Sequence, residues 1–139
     1  GGTTDITRVV PVGAITAEHK RDFTLVLRSM IALSRAQFPR GVKSPMLDSI
    51  ARAPLWAEGI DFGHGTGHGV GMAIHENPPI VRGSKQVIEP GLVFTVEPGI
   101  YVPGWGGVRI EDMVRVTDDG HEVLTSVAKD LDKTTCAAI

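Results

Sequence analysis

Two histidines four positions apart, His64 and His68, stand in a run whose other residues are almost all glycine: Gly63, Gly65, Gly67, Gly69 and Gly71. The i, i+4 spacing would suit a helical metal-binding pair, but so many glycines make a helix unfavourable there. A strand or tight loop nearly bare of side chains is the better reading, and it lets other groups crowd against the backbone. The run lacks the lysine and the spacing of a phosphate loop. By itself it could equally be a glycine-rich turn with incidental histidines.

Three acids add to it. Glu97 follows the apolar Phe94-Thr95-Val96, Glu111 lies within Val108-Arg109-Ile110-Glu111-Asp112-Met113-Val114, and Asp5 sits in a β-branched stretch. A carboxylate in a strand centre is costly to bury unless it is paired or ligates a metal. Any one of the three could instead face solvent from a two-sided strand. Together with a glycine-flanked imidazole they suit a hard or borderline divalent ion: Mn²⁺ foremost, with Zn²⁺ or Co²⁺ as alternatives. His75, in Ile74-His75-Glu76-Asn77-Pro78, reads on its own as a loop histidine, and Arg109 as a surface ion-pair partner.

These residues need elements to position them. Thr3 to Val10 reads as a strand closed by Pro11 and Gly13. Thr16 is a fitting N-cap for a long amphipathic helix running to about Phe38, with Phe23, Val26, Leu27, Met30 and Leu33 recurring at three and four. A second helix starts near Ser44-Pro45, carries Leu47, Ile50 and Ala51 inward, and should be interrupted or stop near Pro54. Strands follow over Leu92–Val96, Ile100–Val102, Val108–Thr117 and His121–Thr125, with a turn at Asp118-Asp119-Gly120. Helices first and an antiparallel sheet after give an α+β class.

Composition bounds the rest. The chain has 139 residues, 42% hydrophobic and 22% charged, which is about one globular domain. A net charge of −2 offers no basic field for nucleic acid or anionic lipid. No apolar run approaches the roughly 18–20 residues that span a bilayer. The one cysteine, Cys136, rules out an internal disulfide and is compatible with a reducing, cytoplasmic setting. The 17 glycines and 9 prolines concentrate between Gly59 and Gly107, predicting a second half rich in loops and hairpins.

Four segments, in order, carry a resemblance: Gly2-Thr3-Thr4-Asp5-Ile6-Thr7-Arg8, His64-Gly65-Thr66-Gly67-His68-Gly69-Val70-Gly71, Val96-Glu97-Pro98-Gly99-Ile100-Tyr101 and Gly107-Val108-Arg109-Ile110-Glu111-Asp112. They resemble the signature segments of the pita-bread metallopeptidases. That family includes aminopeptidase P, prolidase and methionine aminopeptidase, with creatinase as a metal-free relative. The stretch Phe38 to Gly71 looks more like aminopeptidase P than methionine aminopeptidase, and the retained acids argue against creatinase-like chemistry.

The resemblance implies a curved antiparallel sheet with helices on its outer face, and two divalent ions bridged by Asp5 and Glu111. His68 and Glu97 would complete the first ion's shell. His64 and His75 would line the substrate side, with His75 placed to hydrogen-bond the scissile carbonyl or its tetrahedral intermediate. Arg109 would orient the acidic ligands, and Glu97 would move the proton. The implied substrate is a peptide with proline in second position, cleaved by metal-assisted hydrolysis; a dipeptide-restricted prolidase is the neighbouring expectation. The family pattern has a further aspartate about eleven residues before the one matched by Asp5, and it lies outside this chain. Residues 1–139 are therefore expected to be the C-terminal part of a pita-bread catalytic domain, with a defective second metal site, impaired hydrolysis and an exposed edge near Asp5 that invites homodimerisation. From a different class, a non-catalytic pita-bread binding module would be marked by lost ligands, but Asp5, His68, Glu97 and Glu111 are all present.

Overall fold

Helix α1 (Ala17–Ser34) begins where Thr16 predicts. The Thr16 hydroxyl accepts from the His19 amide while the His19 ring accepts from the Thr16 amide, which satisfies two otherwise orphaned donors. The helix stops at Ser34 rather than Phe38, for a reason external to it. Phe38 donates its amide to Asp119 and stacks on His121, and Pro39 disfavours helical backbone at the residue before it. Helix α2 (Ser44–Trp56) contains Pro54 and ends two residues later, in keeping with the amide the proline lacks and the crowding of its ring against the preceding turn. The Ser29 hydroxyl of α1 donates to the Ala51 carbonyl of α2, joining the two helices in the core.

The structure, a computed structural model, describes residues 1–131; Cys136 lies outside the described residues. Its strands are β1 (Gly67–Gly69), β2 (Glu76–Ile80), β3 (Val93–Val96), β4 (Gly99–Val102), β5 (Gly106–Arg109), β6 (Asp112–Val116) and β7 (His121–Val123). They form an antiparallel sheet ordered β2-β1-β3-β6-β7 and a two-stranded sheet β4-β5. Together with the helices this is the expected α+β architecture. Phe23, Val26, Met30 and Leu33 of α1 join Leu47, Ala51 and Leu55 of α2 in one core with Phe94, Val96, Ile110 and Val114 of the sheet. Burial of each of these side chains larger than alanine contributes about 1.5–3 kcal/mol. No described helix is long and apolar enough to cross a membrane.

Two strand expectations are corrected. Val108–Thr117 is not one strand: residues up to Arg109 pair with β4, whereas Asp112 onward pairs with β3 and β7. The chain changes sheets at Ile110-Glu111. The expected strand over Thr3–Val10 reduces to a single bridge, Thr7 with Glu111. The ladder side of β6 beyond that point is already taken, since β7 pairs with Val114–Val116 and Leu124 donates its amide to Met113.

Candidate metal centre

Register brings the two glutamates together. Val96 of β3 pairs with Asp112 of β6, so the next residue on each, Glu97 and Glu111, meet at the end of the ladder. Glu97 accordingly sits just past its strand rather than within it. The Glu97 amide is fixed by the Thr66 carbonyl at 2.7 Å. Asp5 approaches Glu111 through the Thr7 bridge, and its own amide donates to the Met113 sulfur at 3.1 Å.

His68 is the centre residue of β1, and its two glycine neighbours are there for close approach. A Cβ on Gly67 would lie 1.7 Å from the Thr95 carbonyl oxygen, and one on Gly69 would lie 2.3 Å from that of Asn77. Only bare backbone lets β3 and the start of β2 close on both sides of the histidine. The His68 amide donates to the Thr95 hydroxyl. Its ring Nδ1 faces the Gly69 carbonyl at 3.0 Å, a group that can only accept, so Nδ1 carries hydrogen. In the neutral ring this leaves the Nε2 lone pair directed at Asp5 Oδ2, 3.6 Å away, and Glu97 Oε2, 4.0 Å away.

Asp5, His68 and Glu111 place one ligand atom each within 4.8 Å of one another. Glu111 is almost wholly buried. Its Oε2 accepts the Thr7 hydroxyl at 2.5 Å, while Oε1 is buried and receives no N–H or alcohol hydrogen bond among the described residues. Burial, followed by the neighbouring Glu111 carboxyl, pushes Glu97 up to about 9. Burial works on Glu111 in the same sense, but hydrogen bonds from Glu97 and Thr7 outweigh it and hold Glu111 below its usual value. Of the pair, Glu97 is thus the carboxyl that holds its proton to higher pH. Burial, then the Glu111 charge, also raises Asp5. A lone pair and several crowded carboxylates converging on one point repel each other unless protons or a cation lie between them. The donor set of carboxylate oxygens and one imidazole fits a divalent metal ion.

The remaining predicted residues surround this cluster. His64 donates from Nδ1 to the Gly65 carbonyl, and its Nε2 meets the Tyr101 hydroxyl at 2.6 Å, so neither nitrogen is free to ligate. His75 is exposed, its ring 4.3 Å from that of His68. Arg109 reaches Glu111 Oε2 at 4.0 Å and the Thr7 hydroxyl at 3.4 Å. Sequence reasoning missed Thr7, Thr95 and Tyr101 as partners of site residues. It also missed Asp48 and Arg52 of α2, which hold the Phe62–Thr66 approach to β1. Thr66 donates its hydroxyl to Asp48, and Arg52 donates to the carbonyls of Phe62 and His64.

Comparison with known proteins identifies the family and the fold. The chain is 44% identical over 123 residues to a probable Xaa-Pro aminopeptidase P of Tuber melanosporum, covering 84% of this chain and 20% of that protein. It superposes on an Xaa-Pro dipeptidase from Bacillus anthracis with a TM-score of 0.89 at 41% identity, covering 94% of this chain and 37% of the dipeptidase. It superposes on an X-prolyl aminopeptidase from Caenorhabditis elegans, described as a cytosolic enzyme with a di-nuclear active site, with a TM-score of 0.86 at 36% identity, covering 94% of this chain and 24% of that one. The chain thus spans between about a fifth and two fifths of the length of these relatives. Residues 1–118 match the model of metallopeptidase family M24, and the chain belongs to that family.

Proposed function

We propose that Asp5, His68, Glu97 and Glu111 are metal ligands of an Xaa-Pro metallopeptidase, of which residues 1–139 form the C-terminal part of the catalytic domain. The observation that carries this reading is the convergence of the His68 Nε2 lone pair with the Asp5 and Glu111 carboxylates inside one 4.8 Å cluster. These four residues would hold the divalent ions, with Mn²⁺ the favoured ion and Zn²⁺ or Co²⁺ the alternatives. Bound divalent ions would acidify a water and polarise the scissile carbonyl.

The protein groups divide the remaining work. Glu97, ionised when the site is occupied, would accept the proton of the attacking water and pass it to the departing amine. His75, exposed beside His68, donates to the developing oxyanion. His64, locked by Tyr101, borders the substrate side, and Arg109 orients Glu111 and Thr7. The substrate is a peptide with proline in second position. The Caenorhabditis relative supports a cytosolic enzyme, and the Bacillus dipeptidase favours a prolidase as the second reading.

The test has two stages. The purified chain is dialysed against Mn²⁺ and its metal content measured, with Asp5→Asn, His68→Ala and Glu111→Gln alongside; a parent chain that takes up no ion sinks the metal reading. Xaa-Pro dipeptides and Xaa-Pro-Yaa tripeptides are then offered to a longer polypeptide containing these residues. Cleavage of tripeptides supports the aminopeptidase, and cleavage confined to dipeptides the prolidase.

A further inference from the structure

Behind the carboxylate cluster, Arg8 uses every N–H of its guanidinium. Nε donates to the Ala128 carbonyl at 2.9 Å; Nη1 donates to the carbonyls of Thr7 and Glu111 at 2.9 and 2.8 Å; Nη2 donates to Asp112 Oδ1 at 2.7 Å and to the Val127 carbonyl at 2.8 Å. A guanidinium has five N–H donors in a fixed planar fork, and here all are engaged. The arginine side chain is 11% exposed and Asp112 is fully buried.

The acceptors belong to three separate stretches of chain: Thr7, Glu111-Asp112 and Val127-Ala128. None is held to the others by a strand ladder. Thr7 and Glu111 form only an isolated bridge, with one of its two amide bonds stretched to 3.4 Å, and residues 124 to 130 have no regular secondary structure. Side chains on the two pairs divide between two sides: Thr7 reaches Glu111 within the candidate metal centre, while Arg8 reaches Asp112 behind it. The contact that brings Asp5 and Glu111 together is thus pinned from both sides.

We infer that Arg8 is a positioning residue that sets the separation of Asp5 and Glu111 by clamping the backbone at Thr7, two residues after Asp5, to that of Glu111 and to residues 127–128. The inference rests on the metal-ligand reading for its functional meaning, though not for its structural content. Geometry rather than charge is what Arg8 supplies. Lysine at this position would keep an ion pair with Asp112 but has too few donors, in the wrong shape, to hold all three stretches. Conversely, Asp112→Asn would remove its ion pairs with Arg8 and with Lys129, whose Nζ lies 2.7 Å from Oδ2, while keeping an oxygen for Nη2.

The experiment compares Arg8→Lys and Asp112→Asn with the parent chain in two measurements. Hydrogen exchange by mass spectrometry reads segments 3–9, 109–113 and 124–130 against α1, and calorimetric Mn²⁺ titration reads affinity. The clamp predicts that Arg8→Lys speeds exchange in those three segments, leaves α1 protected, and weakens Mn²⁺ binding by about tenfold or more, in the range found when residues behind a metal ligand are changed. Asp112→Asn should be the milder variant in both readings. Unchanged exchange in Arg8→Lys overturns the inference, as does a loss of protection that extends to α1, because the role would then be general to the fold. Faster exchange confined to the three segments in a chain that binds no Mn²⁺ upholds the clamp and rejects the metal-ligand reading instead.

Discussion

His68 Nε2 and Asp5 Oδ2 face each other at 3.6 Å, with the imidazole hydrogen committed to the far side of the ring by the Gly69 carbonyl. Nothing in the neutral histidine can bond to that carboxylate, so a cation between them should bind the folded state selectively. Saturating Mn²⁺ is expected to raise the unfolding midpoint, by an amount equivalent to about 2.7 kcal/mol at a concentration one hundred times the dissociation constant. His68→Ala should abolish the metal-dependent part while the metal-depleted midpoint changes little. Differential scanning fluorimetry with and without Mn²⁺ reads both quantities.

The raised Glu97 carboxyl gives a pH dependence with a definite sign. Glu97 rises from 4.5 to about 9 on folding, pushed first by burial and then by Glu111. A carboxyl raised in this way favours the fold at low pH and costs stability as pH climbs from 4.5 towards 9, because only the unfolded chain releases its proton. Metal-depleted Glu97→Gln should therefore be more stable than the parent at pH 8, where the amide has no proton to lose. With Mn²⁺ present the order should reverse, since the ion prefers the carboxylate. Urea unfolding at pH 6 and pH 8, with chelator or with Mn²⁺, tests both halves; no crossing of the two chains would refute it.

His121 works on the acid side. It packs against Phe38 at 5.6 Å between ring centroids, and burial pushes its imidazole below the ordinary value of 6.5. A histidine lowered in the fold stabilises fully above 6.5 and loses that contribution as pH falls through and below it, as the unfolded chain takes the proton first. His121→Phe keeps a ring on Phe38 and removes the titration. The variant should lose less stability than the parent between pH 7 and pH 5, by denaturant midpoints.

Backbone approach supplies a fourth expectation. A methyl group on Gly67 would overlap the Thr95 carbonyl oxygen at 1.7 Å, whereas one on Gly63 would meet nothing within 4 Å. Gly67→Ala should cost about 3 kcal/mol or more by forcing β1 off β3. Gly63→Ala should stay within about 0.5 kcal/mol. Equal effects at the two glycines would show that β1 does not approach β3 this closely.

Much of this architecture is legible in the residues themselves. The apolar period of Phe23, Val26, Met30 and Leu33 locates α1, and Thr16 locates its start, because both signals are local. What escaped depends on partners distant in sequence. Strand β2 was missed because Pro78 and Pro79 argue against a central strand; the topology puts it at the sheet edge, where prolines are tolerated. Thr3–Val10 has strand composition but finds only Glu111 unoccupied along β6. The acids and His68 stood out because charge beside glycine or apolar residues is locally odd. Arg8 and Asp112 look like ordinary surface charges until the register places them together.

The chain's change of sheets at Ile110-Glu111 has a mechanical consequence. The two-stranded sheet carries Tyr101, and with it the partner of His64; the larger sheet carries His68. The chain crosses between the same two sheets a second time at Glu97-Pro98, between β3 and β4. Both glutamates therefore stand on the seam where the two walls of the site join, and a displacement of either sheet would be felt first at the acids.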